Sequence, residues 1–482
     1  METILTRLGF SFFLVFVFTF YDLSSSFSPI DNYLVNSGAS LDSTVDNRRF
    51  ISDSSDSSNS QRLSSPETFS LCAGTLLPGL PQIYHTARVF KAPSKYVFDV
   101  KDPGMHMVRL HFHQFSSSKL NLGDSQFHVL VNGLVALTNF SGGNLVGPKV
   151  MEYLLCIHSE KLEITFVPAK RSKFAFVNAI EVISAPQDLI LETAQSVNGD
   201  KVKPFEGLNQ QAFEVVHRVT VGGAKVTPFN DTLWRTWVPD DEYMKSTEGS
   251  TRVYFAGRIK YQAGGASREV GPDNVYNSAR LILSKNASIP NMNLTWEFPV
   301  IEGYKYLVRM HFCDIASISL GLLFFNVYVN GHLAYKDFDP SAVTNYLLAS
   351  PIYADFVVDA DHSGVVSVSV GPSSNSMAYA VDAILNGVEI MKMNNSVGSL
   401  DGELPAESVL KCWPRRSAGI LLSLIALVCL LLSLSAIIHR RNTNKVDSVP
   451  WSKLPVDVPE ISPKQGKQQL SSIKIVKDPL AL

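Results

Sequence analysis

Val-Arg-Leu-His-Phe at residues 108–112 recurs as Val-Arg-Met-His-Phe at residues 308–312, in a chain of 482 residues. Val-Asn-Gly at residues 131–133 likewise recurs at residues 329–331, so the order of the matches is kept while the spacing drifts slightly. A period of roughly 200 residues is too long for a solenoid repeat and fits an independently packed domain. The sequence therefore predicts two copies of one domain.

Both copies show the patterns of short β-strands. Residues 96–100, 107–112 and 127–131 alternate apolar and polar side chains, as half-buried strands do. Asn132-Gly133 favours a hairpin turn with positive φ. Further predicted strands cover residues 134–137, 162–167, 174–183, 365–370 and 384–390. Short strands bounded by turns favour an all-β fold in which each copy is a sandwich of two antiparallel sheets.

The two ends of the chain carry apolar runs that bear on its location. Residues 8–20 are followed by serines, which is typical of a secretory signal peptide, predicted here over residues 1–25. Residues 418–438 carry no charge and are long enough to cross a bilayer as one helix. Because a cleaved signal sends the N-terminal part out of the cytosol, we expect a single-pass type I plasma-membrane protein. Its inner tail would be residues 439–482.

The repeat and the ends together predict the domain boundaries. The predicted units are domain A at 31–187, a linker at 188–211, domain B at 212–393 and a juxtamembrane stalk at 394–417. Within domain A, the serine-rich residues 52–65 cannot bury apolar surface and predict a mobile loop.

Composition agrees with a folded extracellular part. The net charge of −2 is near zero and no basic stripe is present, so nucleic acid is not expected as a partner. N-glycosylation sequons occur at Asn139, Asn230, Asn286, Asn293 and Asn394. Apart from Cys429 in the membrane helix, the candidate disulfide cysteines are Cys72, Cys156, Cys313 and Cys412. Four cysteines allow three pairings, and the sequence leaves all three open.

Long motifs in both copies resemble one known family. They are FHVLVNG at 127–133, FAFVNAIEVISAP at 174–186, VTPFNDTLWRTWVPD at 226–240, GGASREVGPDNVYNSAR at 264–280 and DAILNGVEIMKMNNSVGSLDG at 382–402. Over nearly all of residues 31–402 the chain is similar to the tandem malectin-like ectodomain of plant receptor kinases of the FERONIA and THESEUS group.

The resemblance implies a β-sandwich for each malectin-like domain, a single membrane helix and, in the relatives, a cytoplasmic Ser/Thr kinase. It also implies ligands of the rapid alkalinization factor peptide type, bound together with lipid-anchored co-receptors, and pectin as a suggested wall ligand. Residues 439–482 depart from the family, because they hold no Gly-rich loop, His-Arg-Asp or Asp-Phe-Gly motif. We therefore expect no kinase activity in this chain. Ser37 stands where many relatives carry a cysteine.

No group of side chains makes a convincing catalytic or metal site. His111 and His113, with His106 nearby, suggest a metal site, but a half-buried strand with one polar face explains them better. Cys313, with His311 and Asp314, suggests a thiol nucleophile, although a core or disulfide role is favoured. We therefore expect no metal, no cofactor and no enzymatic activity.

Two further groups have both a binding and a structural interpretation. Trp234 and Trp237 suggest stacking on a sugar ring, but packing in a core or between domains is favoured. Arg268, Glu269 and Asp273 lie in a Gly-rich loop that suggests a partner-binding edge. A turn held by its own ion pairs is the preferred interpretation.

The sequence thus predicts a kinase-less or truncated receptor-like protein of the plasma membrane. It would bind an extracellular peptide or a cell-wall polysaccharide and act through a lipid-anchored co-receptor or related receptor kinases. The alternatives are a fragment or isoform of a full-length receptor Ser/Thr kinase, and a lectin-like wall protein. No ligand-binding residue follows from the sequence.

Overall fold

The computed structural model describes residues 27–54, 61–64, 67–170, 172, 174–199, 201–283, 291–411 and 418–443. The described residues up to Lys411 belong to one compact unit, and the helix at 418–443 belongs to a second. The predicted signal peptide and the tail beyond residue 443 lie outside the described residues.

The first half of the compact unit is built almost wholly of strands. They are β1 (Asn32–Asn36), β2 (Ser43–Val45), β3 (Arg48–Ser52), β4 (Gln61–Ser64), β5 (Thr68–Cys72), β6 (Thr86–Phe90), β7 (Ser94–Asp99), β8 (Gly104–Phe112), β9 (Gln126–Val131), β10 (Leu134–Ser141), β11 (Lys149–Ile157), β12 (Lys161–Pro168), β13 (Ala175–Val177) and β14 (Ala179–Ser184).

The second half repeats this pattern with short helical additions. Its strands are β15 (Ala194–Asn198), β16 (Lys201–Phe205), β17 (Phe213–Thr220), β18 (Val238–Pro239), β19 (Ser250–Tyr254), β20 (Ser278–Leu283), β21 (Leu294–Pro299), β22 (Lys305–Cys313), β23 (Phe325–Val329), β24 (His332–Phe338), β25 (Pro351–Asp359), β26 (Val365–Pro372), β27 (Val381–Leu385) and β28 (Gly387–Met393). Its helices are α1 (Asp273–Tyr276), α2 (Pro340–Val343) and α3 (Ala406–Lys411). Short 3₁₀ helices lie at Gln82–Tyr84, Leu122–Asp124, Gly142–Asn144, Leu208–Gln210 and Pro228–Asn230.

The strands form where the alternating pattern predicts them. In β8, Val108, Leu110 and Phe112 enter the core of the first half, while Arg109 and His111 point to the opposite face of the sheet. Both Asn-Gly turns have positive φ at both residues, as the predicted hairpins require.

Strand pairing repeats between the halves. In the first half the order is β11-β8-β14-β1 in one sheet and β10-β9-β12-β7 in the facing sheet. In the second half it is β25-β22-β28-β17 and β24-β23-β26-β21. Each half encloses its own apolar core between these sheets, with Phe112 in one and Phe312 in the other. The mostly β architecture is therefore confirmed.

The two halves share one continuous sheet, so the predicted tandem of two domains is not confirmed as two separate units, although each half keeps its own core. Strand β11 of the first half pairs with β17 of the second, with Tyr153 opposite Glu214 and Leu154 opposite Phe213. Among the described residues this joins 13 strands into one sheet. A third apolar cluster, which includes Met107, Leu154 and Leu307, packs across the junction.

Two predicted connections are also packed. The predicted linker contains the hairpin β15–β16, and β15 pairs with β25. The predicted stalk, as far as it is described, lies against the first half: Leu400 is in the core and Val409 in a satellite cluster. Both segments carry apolar side chains that pack against the rest of the compact unit, which their polar composition did not indicate.

The serine-rich segment is only partly a loop. Ser52 is buried in β3, and its hydroxyl donates to the carbonyl oxygen of Ala39 at 2.6 Å. Residues 61–64 form β4 and pair with β7. Residues 55–60 lie outside the described part of the chain.

The second unit is helix α4 (Ala418–Thr443), which contains the predicted membrane span. Within the described residues, its segment Ser423–Arg441 is the one helical stretch long and apolar enough to cross a membrane. The large side chains of this segment are exposed, as a lipid-facing helix requires.

Candidate binding cleft at the junction of the halves

A row of alternating charges crosses the main sheet on the face opposite the apolar cores. We call it the charge row. Its members, in sheet order, are Glu181, Arg109, Glu152, Arg218, Glu389, Arg309 and Asp355, and none is more than 8% exposed. Neighbouring members lie directly opposite each other on paired strands, except at the junction between Glu152 and Arg218. Opposite charges at facing positions stabilise a sheet.

Glu152 is the link between the halves. Its Oε2 accepts from Nε of Arg109 at 2.6 Å in the first half, and its Oε1 accepts from Arg218 of the second half at 2.7 Å. Arg218 in turn donates to Glu389 at 2.8 Å. Because buried charges are tolerated only when paired, this chain of contacts fixes the register of the two halves.

The row keeps its carboxylates ionised. Burial opposes ionisation of Glu152, but Arg218 and Arg109 outweigh it and lower the pKa of Glu152 to about 2. The pKa of Glu389 is also lowered, since Arg218 and His311 outweigh its burial. Burial alone would lower the pKa of Arg218, yet Glu152 and Glu389 raise it. All these groups are therefore charged at neutral pH.

Each half carries the same tyrosine, histidine and glutamate contact. His111 lies 2.9 Å from the Tyr84 hydroxyl through Nδ1 and 2.9 Å from Glu181 through Nε2. Burial lowers the pKa of the equivalent His311, despite the nearby Glu389. A neutral imidazole that donates from Nε2 to a carboxylate accepts at Nδ1 from the tyrosine. The internal repeat thus extends to buried polar contacts.

A cleft of about 550 Å³ opens above the junction. The first half contributes Arg48 and Tyr84 to its lining, and the second half contributes Lys225, Trp234 and Tyr243. This volume is in the range of small-molecule or side-chain binding sites. Because its walls come from both halves, the cleft exists only when the halves are joined.

Trp234 and Arg48 meet across this cleft. The Arg48 guanidinium lies 4.5 Å from the centre of the Trp234 ring and also donates to Glu181 at 2.6 Å. Trp234 is half-buried and has a φ of 56°, a left-handed conformation that is strained for a bulky residue. Backbone strain of this kind is concentrated at functional sites. Trp234 is therefore the leading ligand-contact candidate in the cleft.

The two tryptophans predicted from the sequence have different surroundings. Trp237 is fully buried, its Nε1 donates to Asp231 at 3.0 Å, and its ring packs against His311. Trp237 is therefore a core residue, which is the interpretation that the sequence favoured over stacking on a sugar ring. Trp234 packs between the halves and also borders the cleft.

The histidine and cysteine candidates do not assemble a reactive site. His106 contacts Asp31, whereas His111 contacts Glu181, and among the described residues no group of three metal-ligating side chains is present. Cys313 is buried, and burial raises the pKa of its thiol. A protonated, inaccessible thiol is not a nucleophile.

The cysteines and sequons remain predictions. Cys72, Cys156 and Cys313 are not bonded to one another, and Cys412 lies outside the described residues. Asn139, Asn230 and Asn293 are exposed, which suits glycosylation, and Asn286 is not described. Asn394 is half-buried, and its Oδ1 accepts from the Ala212 amide at 2.8 Å.

The Gly-rich loop that carries Arg268 and Asp273 has the contacts expected of a turn held by its own ion pairs. Arg268 lies 3.4 Å from Asp273, and its guanidinium stacks 5.0 Å from the centre of the Tyr261 ring. The Tyr261 hydroxyl donates to Asp273 at 2.7 Å. These contacts hold the loop without a partner.

Sequence reasoning missed the charge row. A signal was present, because Glu181 and Glu389 each interrupt an apolar strand at equivalent places in the repeat. Glu152 and Arg218 carried no such signal. Their pairing depends on the contact of β11 with β17, which the sequence repeat does not predict.

Comparison with known proteins places the chain in one family and agrees with the fold. The sequence matches the family model described as Malectin-like domain over residues 36–393. It is 45% identical over 379 residues to a probable receptor-like protein kinase of Arabidopsis thaliana, covering 78% of this chain and 46% of that protein. It is 38% identical over 392 residues to receptor-like protein kinase THESEUS 1 of the same organism, covering 80% and 45%. The chain spans about half the length of these curated relatives.

Solved structures of receptor extracellular domains have a similar fold. The ANXUR2 extracellular domain from Arabidopsis thaliana aligns with a TM-score of 0.69 at 29% identity, covering 78% of this chain and 99% of that one. A chain of the solved complex of plant peptide RALF23 with FER and LLG2 aligns with a TM-score of 0.67 at 32% identity. That alignment covers 79% of this chain and 100% of the other.

Proposed function

The chain belongs to the malectin-like family and is homologous to the ectodomains of receptor-like protein kinases, and on this premise we propose that it is a cell-surface binding protein for an extracellular peptide. The peptide would be of the rapid alkalinization factor type, taken up together with a lipid-anchored co-receptor. The observation that carries the proposal is the similarity to a chain of the RALF23, FER and LLG2 complex at 32% identity, over that chain's full length.

The location follows from the two apolar runs. Residues 1–25 would direct the chain out of the cytosol, and α4 would anchor it in the plasma membrane. The compact unit would then face the cell wall as a type I ectodomain. Asn139, Asn230 and Asn293 are exposed there for glycosylation.

Signalling would pass to a kinase. The family match covers the ectodomain, and the curated relatives it matches are receptor-like protein kinases. We place the phosphoryl transfer in a receptor kinase of this family, either a related receptor that associates with this chain or a full-length form of which this chain is a fragment or isoform. Binding would act by changing that association, since a ligand shifts an equilibrium only through a difference in affinity.

The cleft is the site we assign to the ligand. It is walled by both halves, it is lined by the strained Trp234 and by Arg48, and aromatic and arginine side chains dominate binding energy at protein interfaces. A peptide side chain that stacks on Trp234 would displace the Arg48 guanidinium or stack beside it.

Replacement of Trp234 by glycine is expected to weaken peptide binding by about tenfold or more, because the aromatic contact is lost. Glycine adopts a φ of 56° without strain, which offsets part of the packing that Trp234 loses against Phe50 and Arg48, and the melting temperature of the variant checks that it still folds. The measurement is titration of the purified chain with an alkalinization peptide, with and without the co-receptor, alongside pectin fragments. Tyr254→Ala is the matched control, because Tyr254 is an exposed aromatic that does not line the cleft.

Three results bear on this proposal. Saturable peptide binding that is lost in Trp234→Gly and kept in Tyr254→Ala supports both the ligand class and the site. If both variants still bind the peptide, the peptide-binding site does not include Trp234 and lies outside the cleft. Absence of binding by any alkalinization peptide contradicts the proposed function, and saturable binding of pectin fragments alone would favour a wall-polysaccharide receptor.

A further inference from the structure

Strands β10 and β24 are equivalent edge strands of the two halves. Leu134 at the start of β10 lies opposite Val131, and His332 at the start of β24 lies opposite Val329. Both strands have irregular registers at the same places and carry a phenylalanine near their end, Phe140 or Phe338, that packs against Phe112 or Phe312 of its own half. The two edges can therefore be compared residue by residue.

The edge of β10 is occupied by a segment of the chain itself. The Val135 amide donates to the Gly398 carbonyl oxygen at 3.1 Å, and the Leu400 amide donates to the Val135 carbonyl oxygen at 2.8 Å. The Thr138 amide donates to a carboxylate oxygen of Asp401 at 2.6 Å. Residues 398–401 thus lie along the edge of β10, joined to it by a single parallel bridge between Ser399 and Val135 and by the Asp401 contact.

The added segment also fills the core beside the edge. Leu400 is fully buried in the same apolar cluster as Leu137, Met151 and Tyr153. Leu137, in the same cluster as Leu400, is 5% exposed, while Val135 is 0% exposed in a neighbouring cluster with Val409 of α3.

The edge of β24 is open. Leu333 and Tyr335, the counterparts of Val135 and Leu137, are 37% and 39% exposed. β24 is the last strand of its sheet, and in the described ranges no strand pairs with its outer side. Exposed edges of this kind are templates for strand addition.

A groove of about 450 Å³ lies beside this edge. It is lined by Tyr335, Ala354 and Phe356, which are the counterparts of Leu137, Met151 and Tyr153 in the apolar cluster that contains Leu400. Val202 and Pro204 of the β15–β16 hairpin form part of the opposite wall. The place that Leu400 fills in one half is therefore an open apolar groove in the other.

Charges next to the groove favour an acidic residue. Lys336 is the counterpart of Thr138, whose amide binds Asp401; its side chain is 70% exposed, and its Nζ lies 3.9 Å from the adjacent Asp337. Lys203 also lines the groove, together with Asp355, whose carboxylate is held by Arg309. A carboxylate placed on β24 as Asp401 is placed on β10 would accept a hydrogen bond from the Lys336 amide and lie close to the positive charges of Lys336 and Lys203.

We propose that the edge of β24 and the adjoining groove bind an extended segment of a partner protein by strand addition. The segment carries a large apolar residue, which enters the groove, followed by an acidic residue beside Lys336. This surface is separate from the cleft, and the inference does not rest on the proposed function.

The test uses the full chain in lipid nanodiscs and a synthetic peptide with the sequence of residues 396–403, SVGSLDGE. Because the chain's own copy occupies β10, the added peptide meets the open edge of β24. Saturable binding is expected, together with hydrogen-exchange protection of the Leu333 and Lys336 amides, the counterparts of the Val135 and Thr138 amides that residues 398–401 bind. Peptides with Leu400→Asp or Asp401→Lys should bind about tenfold more weakly or worse.

Variants of the edge complete the test. Leu333→Pro removes an outward N–H that no strand uses, so the fold should persist while peptide binding falls at least about tenfold. Leu333→Thr keeps that N–H and should bind within about threefold of the unaltered chain. The inference is overturned if the peptide fails to saturate at about 1 mM, if Leu333→Pro binds it equally well, or if protection appears away from β24.

Discussion

Replacement of Glu152 by glutamine is expected to lower the free energy of unfolding by about 3–5 kcal/mol, because it leaves two buried guanidinium groups without their shared carboxylate. Glu152 is the one charge-row member that contacts both Arg109 and Arg218, and it is 7% exposed. This loss of stability should arise at the contact between the two halves, because Glu152 does not belong to either apolar core. Urea unfolding of the purified chain at neutral pH, followed by tryptophan fluorescence, measures it.

Glu163→Gln is the matched control for this prediction. Glu163 also pairs across strands, with Lys95 at 2.8 Å, but both side chains are more than 40% exposed. An exposed pair of this kind contributes less than about 1 kcal/mol. Equal, small losses in both variants would show that the charge row does not hold the halves together.

Acid is expected to destabilise the compact unit in two stages. Burial lowers the pKa of His311, so its folded form binds a proton less readily than an unfolded histidine does, and stability begins to fall below about pH 6.5. The pKa of Glu152 is lowered to about 2, so its contribution is fully present above about pH 4.5 and is lost as pH falls towards 2. That contribution is about 3 kcal/mol at neutral pH. Glu181 and Glu389 shift in the same direction and steepen the second stage.

Unfolding midpoints in urea at about pH 7, 5.5, 4 and 3 measure this dependence. In Glu152→Gln the curve should be flatter below pH 4.5, because the group that titrates there is gone. A midpoint that stays constant down to pH 3 would contradict the assigned ionisation of the row.

The sequence predicted the strands because each signal was local. The alternation in β8 and the Asn132-Gly133 turn depend on neighbouring residues, and both formed as expected. The repeat of Val108–Phe112 at residues 308–312 predicted the equivalence of the halves, and their strand order agrees.

What the sequence did not predict depends on contacts between distant segments. The pairing of β11 with β17, the docking of residues 398–401 on β10 and the stacking of Arg48 on Trp234 each join parts more than 50 residues apart. Polar composition suggested a stalk at 394–417, yet Leu400 and Val409 within it are buried against the first half. The cleft could therefore not be predicted from local sequence patterns, because its walls come from segments that are distant in the sequence.

The central claim is that both halves act as one unit through the continuous sheet and the charge row. Differential scanning calorimetry of the purified chain tests it most directly, since independent domains unfold separately. We expect a single cooperative transition whose midpoint falls as a whole in Glu152→Gln. Two resolved transitions in the unaltered chain, with only one of them moved by Glu152→Gln, would contradict the account.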